Sequence, residues 1–210
     1  NGIVAARGVE RIHRPVVLVA LDPEGGSSRG SARSIRGFDL YQAIHHCAGQ
    51  LERYGGHPMA AGLDIHAKRV DAFREAFNRY ARGILTPEDL VAQVDIDLEL
   101  RLPEANRKLF DLLQHFGPFG VGNPTPVLAA RDVALAGPMR VVGDGHLKLD
   151  LEQDGVRLPA IGFRMADRIP ELNRAGGRVD VAFQLQENHW NGRTELQARL
   201  VDIREAGGES

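Results

Sequence analysis

The chain has 210 residues, 43% of them hydrophobic and 26% charged, with a formal net charge of −2 at pH 7. Such a length can bury one large core or two smaller ones without covalent staples, and so balanced a charge gives no global argument for nucleic acid. The single cysteine, Cys47, excludes an internal disulfide and a four-cysteine zinc site, and it suits a reducing cytoplasm. No apolar run reaches the length of a membrane span, and no signal-peptide pattern opens the chain. The first residue is Asn1 and the next ones already read as folded sequence, so a piece of a longer protein is expected. Charge is uneven: Arg7, Arg11, Arg14, Arg29, Arg33 and Arg36 make the first segment locally basic, whereas residues 86–105 are acidic.

In chain order, Val4 to Arg14 reads as a helix ended before Pro15. Val16 to Leu21 is a continuous apolar run that suits a strand buried on both faces. Asp22 to Gly26 is a turn. Ser27 to Ile35 alternates small and basic residues and reads as a second strand with polar faces. Asp39 can cap a helix carrying Leu40, Ala43, Ile44, Cys47 and Leu51 at helical spacing. A turn at Gly55-Gly56-His57 and a strand from Ala60 to Ile65 follow. Ala67 to Tyr80 is an amphipathic helix with Val70, Phe73, Phe77 and Tyr80 on one face.

Leu90 to Leu100 alternates as a half-exposed strand, and Pro103 opens a helix whose apolar face is Leu109, Leu112, Leu113 and Phe116. Gly117 to Pro126 holds too many glycines and prolines for regular structure and marks a boundary between modules. Beyond it the chain reads as β: Val127 to Leu135, Leu147 to Leu151, Val179 to Gln186 and Leu196 to Leu200, with turn signals at Asp144-Gly145, Asp154-Gly155 and Asn191-Gly192. A short helix is expected between Phe163 and Asn173. About five strands with one intervening helix suggest a small closed barrel of the OB type.

Several motifs fail on context. Gly26-Ser27-Ser28-Arg29-Gly30 fits the G-x-S-x-G spacing, but no apolar helix follows it. Gly117, Gly120 and Gly122 are spaced G-x-x-G-x-G, against a dinucleotide site. His45 and His46 are adjacent on a helix and diverge by about 100°, so they would not chelate one ion. Asp95 and Asp97 share a strand face, where a solvated surface is the simpler reading.

Two stretches survive. Along Ser28 to Ser34 a strand would project Arg29, Ser31 and Arg33 from one face, and arginine forks with hydroxyls suit phosphate. A plain solvated edge strand reads equally well there. One helix further on lies Gly55-Gly56-His57-Pro58-Met59-Ala60-Ala61-Gly62, whose glycines let a ligand approach the backbone and whose histidine can donate to an anion.

Gly30 to Ser34 followed by Gly55 to Gly62 closely resembles the DHHA1 domain of the RecJ family, bacterial exonucleases specific for single-stranded DNA. Gly2 to Arg7 with Arg14 to Val17 resembles the exit from that family's catalytic domain. Phe116 to Pro124 resembles its entry to an OB domain. The resemblance implies an α/β DHHA1 domain, a central sheet flanked by helices, followed by a mostly β OB-type barrel. The implied segments are a bridging helix over 1–14, DHHA1 over 15–102, a linking helix and Gly/Pro-rich boundary over 103–126, and the barrel over 127–206.

By the same resemblance the full-length protein is a 5′→3′ exonuclease of DNA repair and recombination, hydrolysing phosphodiesters at two Mn2+ or Mg2+ ions held by a DHH domain absent from this sequence. This chain is expected to hold no metal and to be inactive alone. Ser31 and Arg33 match positions that grip the terminal 5′-phosphate, with Arg29 assisting. His57, Gly55 and Gly56 would line the cleft and hold the scissile phosphate. The barrel would guide single-stranded DNA through Trp190 and Phe163, while Phe183 is expected in the core, and Arg157, Arg164, Arg193 and Arg199 are candidate backbone contacts. Implied partners are the DHH domain, single-strand-binding protein and recombination helicases, in the cytoplasm and without a membrane. The alternatives are a non-catalytic single-strand-binding module, another DHHA1 phosphodiesterase, or an alanyl-tRNA editing protein.

Overall fold

A computed structural model describes residues 2–120, 122–174, 176–190 and 192–207, the Trp190 side chain excepted. The chain divides into two compact units, Asn1–Gln93 and Val94–Ser210, each with its own apolar core. The division falls upstream of the expected boundary at 117–126. Residues 103–126 belong to the second unit because Ala105, Leu109 and Phe110 pack into its core.

The first unit begins with helix α1 (Gly2–Ile12), followed by strands β1 (Val16–Ala20) and β2 (Ser27–Arg33). Helix α2 (Leu40–His46) comes next, then β3 (Arg53–His57), β4 (Ala60–His66) and helix α3 (Val70–Ile84). The four strands form one antiparallel sheet in the order β1-β2-β4-β3. The Val16 run is therefore an edge strand and none of its residues is fully buried. β2 is an interior strand, not an edge. Ser28, Gly30 and Ala32 are its buried residues, so its inward face is made of small side chains that hydropathy does not flag. The Ser34 hydroxyl donates to the Phe38 carbonyl at 2.7 Å, and the Ser34 amide donates to Met59 O at 3.1 Å.

The Asp39 carboxylate caps α2 by accepting from the Gln42 amide at 3.0 Å. The helix stops at His46, earlier than the apolar spacing suggested, yet Cys47 and Leu51 still reach the core. Phe73 and Phe77 of α3 are buried and Val70 and Tyr80 pack beside them, as the periodicity predicts. Two three-residue 3-10 turns flank these helices at Ala48–Gln50 and Ala67–Arg69.

The largest departure concerns the Gly-Gly-His segment. It is not a turn: Gly55, Gly56 and His57 lie within β3, and Pro58-Met59 forms the two-residue connection to β4. Pro58 O accepts from the Leu40 amide at 2.9 Å, which ties this hairpin to the start of α2.

In the second unit the expected strand over 90–100 shrinks to β5 (Leu98–Glu99), and Val91, Val94 and Ile96 are exposed. Asp95 and Asp97 thus lie outside any strand, and an Asp97 carboxylate oxygen accepts from the Val127 amide at 2.8 Å. Helix α4 (Arg107–Gln114) starts at its Asn106 cap, three residues beyond Pro103. Phe110 is its buried residue, whereas Leu112 and Phe116 face solvent.

Five strands then close a barrel: β6 (Leu128–Val142), β7 (His146–Gln153), β8 (Val156–Gly162), β9 (Arg178–Trp190) and β10 (Arg193–Glu205). The order is β6-β7-β8-β10-β9, and β6 pairs again with β9, leaving no open edge in that ring. β6 serves both neighbours by bending at Gly137, where its register with β7 shifts. Leu147, Leu149, Leu151, Val179, Val181, Phe183 and Leu185 alternate inward. A register shift between Leu200 and Asp202 turns Ile203 inward. Helix α5 (Ile169–Arg174), between β8 and β9, contributes the buried Leu172. This is the strand order and helix placement of an OB fold.

Candidate nucleic-acid interface

The sheet of the first unit has two unlike faces. On one, Val17, Val19, Ala32, Ala61, Leu63 and Ile65 pack with α2 and α3. On the other, strand register lines up three rows. The first is Val16, Arg33, Ala60 and His57; the second is Leu18, Ser31, Gly62 and Gly55; the third is Ala20, Arg29, Asp64 and Arg53. Adjacent strands lie about 4.8 Å apart, so the Arg33 and His57 backbones are roughly 10 Å apart across Ala60.

The middle row forms the floor. A Cβ added at Gly55 would meet nothing within 4 Å, and one at Gly62 only Gly30 O at 3.8 Å. The floor is therefore open backbone rather than a packed surface. Gly56 differs. Its φ is +149°, and a Cβ there would stand 2.4 Å from Ala60 O and 2.5 Å from Ala61 Cα. Gly30 meets a similar limit against Leu63 on the buried face, at 2.7 Å. The motif glycines thus have separate reasons: Gly30 and Gly56 let strands pack, and Gly55 and Gly62 keep the floor clear.

Arg33 is half-buried, and its guanidinium donates to Ala32 O at 2.8 Å. Gly2, the first residue of α1, lies against that guanidinium: a Cβ at Gly2 would come 2.8 Å from Arg33 Nη2. Ser31 is half-buried, His57 is exposed, and neither side chain has a protein partner among the described residues. Arg29 faces Asp64 at 3.4 Å while its side chain stays 83% exposed. In surroundings this wet, such a pair is weak and leaves guanidinium donors free.

Arg53 escaped the sequence reading. It lies two residues before Gly55 and four before His57, with the parity of both. Reading Gly-Gly-His as a turn hid this; reading it as a strand would have put all three on one face.

On the barrel, Phe183 is fully buried, as expected. Phe163 is 45% exposed at the end of β8, with the Arg199 guanidinium 5.3 Å from its ring centroid and the His146 ring edge-on at 5.0 Å. Arg164 follows it with φ +58°, its amide donating to His146 Nδ1 at 3.2 Å. Arg193 is exposed on β10. Arg157 pairs through Nε with Glu152 at 2.7 Å, and its side chain is 69% exposed. The Trp190 side chain lies outside the described residues.

His45 and His46 point to different partners. His45 Nδ1 meets the Tyr54 hydroxyl at 2.7 Å, and the His46 ring lies 4.8 Å from that of Tyr80. Among the described residues no three His, Cys, Asp or Glu side chains converge as a metal site. No described helix is long and apolar enough to cross a membrane.

A four-stranded sheet with a cationic, glycine-floored face, followed by a closed OB barrel, defines a DHHA1–OB pair. The DHHA1 domain model matches residues 2–83 and the RecJ OB domain model residues 96–202. The chain belongs to the RecJ family. Similar relatives are the single-stranded-DNA-specific exonucleases RecJ of Bacillus subtilis, 32% identical over 203 residues, and of Haemophilus influenzae, 36% identical over 210 residues. Each match covers 96% of this chain but only 26% and 36% of the respective relative, so the chain spans about a quarter to a third of their length. Crystal structures of RecJ from Thermus thermophilus with Mg2+ or Mn2+ superpose with a TM-score of 0.75. The Mg2+ complex is 31% identical, over 99% of this chain and 30% of that one.

Proposed function

We propose that this chain is the substrate-binding part of a single-stranded-DNA-specific 5′→3′ exonuclease of DNA repair and recombination. The observation that carries this reading is the register that puts Ser31 and Arg33 on the same face as Gly55 and His57. Ser31 and Arg33 grip the terminal 5′-phosphate, and Arg29 adds positive charge beside them. His57 and the Gly55 floor hold the scissile phosphate, while Gly56 keeps β3 seated on β4. The barrel guides the incoming strand through Phe163, Arg164, Arg193 and Arg199, with Trp190 as a further stacking group.

Hydrolysis belongs to a DHH domain in the remainder of the full-length protein, where Mn2+ or Mg2+ would supply an activated water. The part of this chain is to bind and orient phosphates. Single-strand-binding protein and recombination helicases are the proposed partners, and the cytoplasm the proposed location. Arg33→Ala in the full-length enzyme tests the grip. The variant should lose its preference for 5′-phosphorylated over 5′-hydroxyl strands at subsaturating DNA; unchanged discrimination would refute the assignment. The purified 210-residue chain with Mn2+ should leave single-stranded DNA intact, and metal-dependent digestion would move catalysis into this chain.

A further inference from the structure

Arg53 stands in the third row, on the strand that carries Gly55 and His57. Its neighbour across the ladder, Asp64, turns to Arg29. Arg53 itself is exposed and has no ion pair or hydrogen bond among the described residues. An arginine whose neighbouring carboxylate is already engaged, beside an open glycine floor, is placed for an anion from outside the chain. We propose that Arg53 binds the phosphodiester that follows the scissile one, making a further phosphate subsite along β3.

The distance argument is simple. Residues two apart on a strand are separated by about 6.7 Å on the same face, close to the spacing of neighbouring phosphates in an extended single strand. If a phosphate lies over Gly55 and His57, the next one inward along β3 arrives at Arg53. The guanidinium can meet it with two parallel donors. Asp64, 25% exposed, turns its carboxylate to Arg29 and so does not occupy the Arg53 guanidinium. This inference rests on the reading of Gly55 and His57 as the scissile-phosphate position.

The test is binding of 5′-phosphorylated oligothymidylates to the full-length protein without added metal. Each oligonucleotide carries one uncharged methylphosphonate at the first, second, third or fourth linkage. Arg53→Ala should weaken binding of the unmodified strand by about tenfold, as expected for one charge-assisted contact. On the strand with the second linkage neutralised, wild type and variant should bind alike, while the full difference persists on the others. Arg53→Lys should recover part of the loss. An equal loss on all strands would mean diffuse charge and overturn the proposal, as would coupling to a different linkage or no loss at all. Circular dichroism of Arg53→Ala and a parallel Arg53→Gln exclude misfolding as the cause. The underlying reading is checked separately with Arg33→Ala on 5′-phosphate and 5′-hydroxyl strands. Unchanged discrimination in that variant, with the Arg53 coupling intact, would locate the failure at the terminal-phosphate grip.

Discussion

Gly55 and Gly56 are adjacent, yet alanine at each should have unequal consequences for stability. At Gly56 the φ of +149° is nearly closed to residues with a side chain, at a cost of about 1–3 kcal/mol. The added methyl would also stand 2.4 Å and 2.5 Å from Ala60 O and Ala61 Cα. Both are backbone atoms of the paired strand, so no side-chain rotation relieves them. β3 must separate locally from β4, sacrificing ladder hydrogen bonds worth about 1 kcal/mol each. The sum is about 3 kcal/mol, or on the order of a hundredfold in the opening equilibrium.

At Gly55 the methyl meets nothing, and the change in stability should stay within about 0.5 kcal/mol. It would, however, stand on the floor where a phosphate is proposed to sit. Amide exchange over residues 53–66, followed by mass spectrometry, reads the difference directly. Protection there should fall about a hundredfold in Gly56→Ala and remain in Gly55→Ala. DNA binding by the full-length protein should weaken in both. Equal loss of protection in the two variants, or full protection in Gly56→Ala, would refute the division of roles.

Other expectations concern charge, the lone thiol and the barrel. Removing one phosphate contact with Arg33→Ala should reduce the slope of log affinity against log salt by about 0.7, measured by anisotropy titration of single-stranded DNA. Cys47 is fully buried and its pKa is raised by desolvation, so a thiol reagent should label it only on unfolding. The folded state keeps that proton longer than the unfolded chain does. Its contribution to stability is therefore complete below the unfolded thiol pKa of about 8.5 and declines as pH rises past it, a trend that denaturant midpoints at pH 7 and 10 would reveal. Phe163→Ala should weaken single-strand binding by about 1–3 kcal/mol with little change in melting, whereas Phe183→Ala should cost the barrel about 3–5 kcal/mol. Titration and thermal unfolding of the same two variants separate the effects.

Where the sequence reading succeeded, each element declared itself by local pattern. Phe73 and Phe77 recur at helical spacing and are buried. Leu147, Leu149 and Leu151 alternate and line the barrel. Asp39 caps the helix it precedes. Where it failed, a local signal was outweighed by pairing. Val16 to Ala20 reads as interior because it is apolar, yet it sits at the sheet edge; Ser27 to Arg33 reads as exposed because it is small and basic, yet it is central. The alternation over 90–100 yields only two paired residues, because it is the neighbouring strand that decides how far a strand runs.

By itself, then, the sequence determined the kinds of element, their order, the split into a mixed unit and a β unit, and the chemistry available in Ser31, Arg33 and His57. Those depend on neighbours along the chain. Tertiary structure alone decided that Gly55 and Gly56 belong to a strand, that Arg53 shares their face, and that Asp64 turns to Arg29 instead. These are matters of register: moving a strand by one residue exchanges its two faces, and only pairing with β4 sets which of them meets the ligand.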